Sequence, residues 1–435
     1  MKILIKNADI ITIDDERMFI NNGNVAIENG YIKFVGAEAD VTGFNADRVI
    51  DGSNKLVLPG LVNSHTHSPM TIFRNYADDL ALEEWLFKKI IPAESKLTPE
   101  DVYWGAMLGI TEMIKSGTTC FADMYLHMDE VVRAVQESGI RANISRGPIQ
   151  SSVRTKSGLE VDADSCTGFF NNWNNKENGR IKVYVEIHSV YLFDEESIRD
   201  AAALAKQLNT GIHIHLAETL GENETSINKY GADPIEISER LGIFDVPVFA
   251  AHCVQLSDKN LKMLKERNVN VSHNPTSNLK LGSGIARVPE MLAEGINVSL
   301  GTDGTASNNN LNLIEEMHIA ALIHKGVSKD PTLVNAEQVL KMATVNGAKA
   351  IGFGDETGVL KQGMKADVIL IDMDKPHLNP RNNLMSAVVY SAQASDVDTV
   401  IIDGKIVMEN RKLITIDEEK VKYKVNEITR RILGS

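Results

Sequence analysis

The feature that most constrains this chain is a succession of eight apolar runs, each closing on polar residues and each followed by a helical pattern. The first is Lys55 to Val62. The others are Thr118 to Met124, Arg141 to Ile149, Ile181 to Val190, Gly211 to Leu216, Pro247 to Ala251, Val269 to Ser272 and Asn297 to Leu300. Pro99 to Lys115 reads as a helix capped by Thr98 and stopped by Gly117, and Ser257 to Glu266 as another. Eight strand-helix units over residues 58–354 predict an α/β fold, a (β/α)8 TIM-like barrel. A doubly wound open sheet is the alternative. Against it, no glycine-rich phosphate loop follows any run, and polar residues end all eight, as on a barrel's catalytic rim.

The flanks have a different texture. Residues 1–57 alternate and turn, with Asn29-Gly30 as a hairpin signal between Asn24 to Glu28 and Tyr31 to Val35. In 355–435, Gly358 to Gly363, Ala366 to Ile371, Thr399 to Ile402 and Lys405 to Met408 read as short strands, Asp403-Gly404 as a second hairpin turn, and Asp417 to Leu433 as a closing helix. Neither end has strands enough to bury a sheet alone, so the two are expected to combine into one small β domain.

With 435 residues, 43% of them hydrophobic, the chain can bury a large domain and a smaller one. Its 59 acidic against 45 basic residues, a formal charge of -14, argue against nucleic acid or anionic membrane as partner. Apolar residues nowhere run the length of a membrane span, and Met1 to Lys6 does not open an export signal, so a soluble, unexported protein is expected. Cys120, Cys166 and Cys253 are too scattered for a CxxC motif and argue against a disulfide framework, which fits a reducing cytoplasm.

Chemistry gathers at the run ends: His65 and His67, Asp123, Arg146, His188, His215 with Glu218, His252, His273 and Asp303. In an extended segment residues two apart share a side, so His65 and His67 face one point. With His215 and Asp303 they would complete a zinc site that leaves a position for water. Each piece also has a plain reading. An isolated His-x-His is commonly structural, His213 suits a place in the core or behind a ligand, Asp123 could orient a ligand or cap a helix, and Asp303-Gly304 and His273-Asn274-Pro275 suit turns. Those readings do not explain the coincidence of such residues at corresponding ends of runs one, five and eight, with His252 ending run six.

Leu58 to His67, His215-Leu216-Ala217-Glu218, Ala251-His252, Ser272 to Pro275 and Gly301 to Gly304 together resemble the amidohydrolase superfamily. The likeness covers nearly the whole chain, because that family pairs its barrel with a small β-sandwich built from both termini. Asp79 to Glu94, Phe121 to Tyr125 and Ser272 to Pro289 are most similar to the 5'-methylthioadenosine/S-adenosylhomocysteine deaminases. The resemblance implies hydrolytic deamination of adenine nucleosides substituted at the 5' position. It also implies one divalent metal on His65, His67, His215 and Asp303, most simply Zn2+, though Fe2+, Mn2+ or Ni2+ suits the same ligands. Two-metal members carry a lysine at the end of strand four where this chain has His188. Zinc deaminases of the H-x-E, P-C-x-x-C type are excluded because the cysteine pair is absent.

By the same resemblance Glu218 carries protons, His252 contacts the attacking oxygen, and Asp303 both ligates and receives the water's proton. Glu94 accepts from the ribose hydroxyls, Trp85 packs on the 5' substituent, and Arg146, His188 and Ser307 are further contacts of a small-molecule nucleoside substrate. Arg154 is the candidate for the family's second arginine. Other classes stay open: a guanine deaminase, a triazine chlorohydrolase or an amide hydrolase on the same metal site, or a non-catalytic binding protein, which the retention of every ligand and of Glu218 disfavours. No segment identifies an interface, and assembly as a homo-oligomer is left open.

Overall fold

This computed structural model describes residues 1–37, 41, 43–147 and 163–434. Strands β1 (Lys2–Ile11), β2 (Phe19–Glu28), β3 (Tyr31–Gly36), β4 (Arg48–Asp51) and β5 (Lys55–Pro59) precede the barrel. The barrel strands are β6 (Leu61–Thr66), β7 (Thr118–Met124), β8 (Arg141–Ser145), β9 (Ile181–Ile187), β10 (Ile212–Leu216), β11 (Val248–His252), β12 (Asn270–His273) and β13 (Val298–Leu300). β14 (Val368–Asp372), β15 (Val397–Ile402), β16 (Lys405–Glu409) and β17 (Lys412–Leu413) follow.

From β6 to β13 the strands pair in chain order and in parallel, as eight strand-helix units require. Residues in β6, β7, β8, β10, β11 and β13 are buried throughout, as expected for strands covered on both faces. Side chains tie the seam between β13 and β6: Ser64 Oγ donates to the Leu300 carbonyl at 2.8 Å and Asn63 Nδ2 to Thr302 Oγ1 at 2.8 Å. The Asp303 amide then donates to the His65 carbonyl at 3.0 Å, which brings strand ends one and eight together.

The helices begin where the chain supplies a cap. Pro99–Lys115 starts on Thr98 and Asp101 in a reciprocal capping box, and Gly117 follows it at φ +92°. Asp258–Glu266 starts on Ser257, and Glu418–Leu433 on Asp417.

The remaining nine strands form one mixed sheet, ordered β17-β16-β15-β14-β5-β1-β2-β3 with β4 beside β1. It encloses its own apolar cluster, in which Ile3, Ile5, Ile10, Val57, Val368 and Leu370 take part, while Leu56, Leu58, Ile369 and Ile371 on the alternate face join the barrel's core. The small domain is thus built from both ends of the chain, with continuous pairing from β17 to β3. Its two hairpin turns, Asn29-Gly30 and Asp403-Gly404, abut: a Cβ on Gly404 would lie 2.7 Å from Gly30 Cα.

Two expectations change. The single apolar run Lys55 to Val62 is split, because Gly60 carries the chain from β5 in the small sheet to β6 in the barrel. A side chain at Gly60 would strike Thr119, 2.0 Å from the ideal Cβ position. Gly358 to Gly363 is not a strand but a turn-rich crossing, with Gly358 and Gly363 at φ +95° and +91°. Its apolar Leu360 is buried by the small sheet's core rather than by ladder pairing.

Candidate active site

His65 lies in β6 and His67 just past it, His215 lies in β10, His252 ends β11, and Asp303 follows β13. All but His67 are buried, and His67 is nearly so. His67 Nδ1 donates to the Met124 carbonyl at 2.7 Å and His215 Nδ1 to the His188 carbonyl at 2.8 Å. A carbonyl only accepts, so these bonds fix the proton on Nδ1 and leave each Nε2 as the exchangeable or bare nitrogen. His65 Nδ1 is likewise engaged by His213 Nε2 at 2.8 Å, and His252 Nδ1 by Asn278 Oδ1 at 2.8 Å. Four Nε2 atoms therefore turn toward one space. That of His65 is buried with no hydrogen-bond partner.

The spacings suit a cation. Asp303 Oδ1 is 3.3 Å from His65 Nε2 and 3.2 Å from His67 Nε2, and the Nε2 atoms of His67 and His215 are 3.1 Å apart. A tetrahedral ion with ligands at ~2.0–2.1 Å holds neighbouring donors ~3.3 Å from one another. The ligand atoms of His65, His215, His252 and Asp303 also lie within 4.8 Å of one another, which places His252 beside the same space. Asp303 is held from behind, its Oδ2 accepting from Ser277 Oγ at 2.6 Å and Ser307 Oγ at 2.7 Å.

The electrostatics agree with the spacings. Burial holds His65 down to about 4 and His213 and His215 well below the ordinary histidine value. Burial also pulls on His67, but its bond to Asp303 prevails and raises it to about 9. Burial opposes ionisation of Asp303, yet the nearby His65 and His67 rings, with Nε2 at 3.3 and 3.2 Å from Oδ1, hold its carboxyl well below the usual range. A divalent cation binding here would displace the His67 proton and meet neutral imidazoles and one carboxylate, a donor set proper to zinc.

Glu218 stands beside this cluster, raised above the ordinary carboxyl range by burial. Ser283 Oγ donates to its Oε1 at 3.0 Å, and its Oε2 lies 3.8 Å from His252 Nε2. Behind it, the carboxyl of Glu222 accepts from the backbone amides of Ala217 at 3.1 Å and Glu218 at 2.7 Å, and burial pushes Glu222 up to about 8.

His67, His215, Glu218, His252 and Asp303 share a pocket with Trp85, Leu86, Phe87, Ile91 and Glu94 of the segment after β6, with Met124, Tyr125 and Leu126, and with His188, Tyr191 and Leu192. Trp85 is anchored by its Nε1, which donates to the Ala306 carbonyl at 3.1 Å. The His188 ring stacks on that of His215 with centroids 4.5 Å apart. Among the described residues, neither lysine nor arginine lines this pocket.

Some expected contacts lie elsewhere. Arg146 is drawn away by Asp129, whose Oδ2 is 2.8 Å from its guanidinium, and by Ser165 at 2.9 Å, and it does not line the pocket. Ser307 is buried on Asp303 rather than in the pocket wall. Asp123 accepts from Thr66 Oγ1, the Ser68 amide and Ser68 Oγ, so it fixes the turn after His67. His273 pairs with His324, their Nε2 atoms 3.2 Å apart. Arg154 lies outside the described residues.

Residues that sequence reasoning missed are those that grip the site from behind: Ser277, Asn278, Ser283 and Glu222. For Glu222 a signal existed, since Thr219 and Glu222 have the spacing of a capping box. Thr219 does cap the helix Leu220–Tyr230 through the Glu222 amide, but the glutamate reaches past it to the two preceding residues.

Comparison with known proteins agrees with this geometry. Residues 56–407 match the amidohydrolase family. The chain is 64% identical over 434 residues, 100% of both chains, to a 5-methylthioadenosine/S-adenosylhomocysteine deaminase of Acetivibrio thermocellus. It is 50% identical over 419 residues, 96% of this chain and 95% of the relative, to a 5'-deoxyadenosine deaminase of Methanosarcina acetivorans. Among solved structures, a zinc-bound adenosine deaminase from Xanthomonas campestris superposes with a TM-score of 0.93 at 31% identity, covering 100% of this chain and 99% of that one. The chain belongs to the amidohydrolase family.

Proposed function

We propose that this protein is a metal-dependent deaminase that hydrolyses adenine nucleosides altered at the 5' position, 5'-methylthioadenosine and S-adenosylhomocysteine among them, to the inosine analogue and ammonia. The observation that carries this reading is the meeting of the imidazoles of His65, His67, His215 and His252, the Asp303 carboxylate and the buried Glu218 at one largely apolar pocket. Full-length identity to deaminases of this substrate class supports it. We assign His65, His67, His215 and Asp303 as the ligands of one divalent ion, with zinc as its identity; iron, manganese or nickel fits the same donors. A cytoplasmic setting fits a metabolic deaminase, and no helix among the described residues is long and apolar enough to cross a membrane.

A divalent ion held there supplies a water acidified from about 15.7 toward about 7. The chain's own groups then manage protons and orientation. Asp303, gripped by Ser277 and Ser307, receives the proton of the attacking water. Glu218, whose hold on a proton burial strengthens, donates to the ring nitrogen beside the amino-bearing carbon, then takes up the proton that the added hydroxyl loses as the C=O forms and passes it to the departing amine. The proton held by Asp303 restores Glu218 for the next turnover. One C–O bond forms, one C–N bond breaks, and ammonia leaves. His252, its Nδ1 committed to Asn278, offers Nε2 as an acceptor to the attacking oxygen. Glu94 accepts from the ribose hydroxyls, and Trp85, Leu86, Phe87 and Tyr191 enclose the 5' substituent.

Incubation with 5'-methylthioadenosine, S-adenosylhomocysteine, adenosine and 5'-deoxyadenosine in parallel tests the reading. We expect the ultraviolet change from adenine to hypoxanthine with one ammonia per turnover. Absence of change with all four overturns it.

A further inference from the structure

Three functional strand ends share an unusual backbone. Ala217, His252, Cys253 and Asp303 all have left-handed φ, at +50°, +74°, +47° and +64°, where residues other than glycine are uncommon. Such conformations persist only where surrounding bonds impose them. At Ala217 those bonds can be named. The Ala217 carbonyl accepts from the amides of Val254 at 3.0 Å and Gln255 at 2.8 Å, and the Leu216 carbonyl from Cys253 at 3.0 Å. The two amides on the other side, of Ala217 and Glu218, both end on the Glu222 carboxyl.

A second grip acts on the side chain. Gln255, which holds Ala217 through its amide, also donates from Nε2 to the Ser283 carbonyl at 2.6 Å, and Ser283 Oγ donates to Glu218 Oε1. The Ser283 amide donates to the Asn278 carbonyl at 2.9 Å, and the Asn278 side chain holds His252. Backbone and carboxyl of Glu218 are thus fixed by one connected circuit. Glu222 and Ser283 are both buried, so water does not readily replace either bond.

We propose that Glu222 and Ser283 are positioning residues that aim the proton carrier: Glu222 locks the left-handed turn from which Glu218 springs, and Ser283 reserves Oε1 as an acceptor, leaving Oε2 to carry the proton. Oε2 is the oxygen on the His252 side, 3.8 Å from its Nε2. The proposal rests on the deaminase reading for its kinetic consequence, but the clamp itself is a property of the backbone.

The test is Glu222→Ala, Glu222→Gln and Ser283→Ala, with metal content, kcat, KM and amide exchange read in each. For Glu222→Ala, kcat is expected to fall about ten- to hundredfold, with KM and bound metal unchanged. Glu222→Gln, which keeps one acceptor oxygen, should fall between this and the wild type. Affinity for a tetrahedral hydrate mimic of the purine should fall in step with kcat/KM, while affinity for the inosine-type product holds. The Ala217 and Glu218 amides should exchange faster than in the wild type. Retained kcat, a loss of kcat matched by loss of metal, or unchanged protection of those two amides overturns the clamp. If Glu222→Ala does not fold, Ser283→Ala must show the same split at about fivefold. If the wild type releases no ammonia from any nucleoside, the deaminase reading fails while the exchange measurement still decides the clamp.

Discussion

Two buried polar clusters sit at opposite ends of the barrel, and they are balanced differently. At the N-terminal end, Arg141 opens β8 and meets Asp367 in a two-bond fork, Nε to Oδ2 at 2.7 Å and NH2 to Oδ1 at 3.0 Å. Asp403 takes Lys365 at 3.0 Å and Asn178 at 2.9 Å, and its amide donates to Asp367 Oδ1 at 2.8 Å. Two cations face two carboxylates, all from the chain. At the C-terminal rim, Asp303, Glu218 and Glu222 share a pocket that neither lysine nor arginine lines among the described residues; of the imidazoles beside them, burial holds His65 and His215 low, while Asp303 raises His67 to about 9. Both clusters bear the desolvation cost of buried charge. The lower one settles it internally and fastens the small sheet to the barrel. The upper one is composed to accept positive charge from outside, which separates a functional cluster from a structural one.

Substitutions should separate the two ends. The largest effect is expected at the rim: His215→Ala or Asp303→Asn should abolish zinc binding and deaminase turnover together, measured by metal analysis and ammonia release, while the far-ultraviolet spectrum stays native. Next, Glu218→Gln should keep the metal and lose about 10²–10⁴-fold in kcat, read in the same assay; near-normal turnover would remove its role as proton carrier. At the lower end, Arg141→Met should cost about 3–5 kcal/mol of stability in denaturant titration, because Asp367 is left buried and unpaired. Metal content and kcat of the folded fraction should not change. Arg141→Met with Asp367→Asn should recover most of that loss, and failure to recover would mean that the cluster is not a self-contained pair.

The smallest effect sharpens the comparison on the rim side. Glu316 is held by the Thr276 amide at 3.2 Å and Asn308 Nδ2 at 2.7 Å, and burial pushes its carboxyl up from 4.5 to about 7. A raised folded value means that its contribution to stability is full below 4.5 and is lost as the pH rises through about 7. Urea midpoints measured from pH ~4.5 to ~7.5 should therefore fall more steeply in the wild type than in Glu316→Gln. Parallel slopes would show that the Glu316 carboxyl is not raised by folding.

Much of this contrast is legible in the chain because local signals carry it. Apolar runs ending in polar residues locate the barrel strands, Thr98 and Ser257 mark helix starts, and the two-residue spacing of His65 and His67 aims both rings at one point. What stays hidden depends on distant partners. Nothing near Gly60 announces that an unbroken apolar run changes sheets, since the reason is the side chain of Thr119. The periodicity of Gly358 to Gly363 resembles a strand's, yet its glycines turn and only Leu360 is buried. Arg146 ends its strand as a substrate contact would, but Asp129, 17 residues earlier, engages it. The supports of Asp303 and Glu218, namely Ser277, Ser307, Ser283 and Glu222, are common residue types whose roles arise only when the strand ends converge.

The central claim is that one divalent ion is held where β6, β10 and β13 end. An anomalous difference map from crystals grown with zinc, recorded at the zinc edge, tests it most directly. The account predicts a single strong peak within bonding distance of Nε2 of His65, His67 and His215 and of Oδ1 of Asp303. A peak that takes His252 in place of His67, or no peak among these side chains, would contradict it.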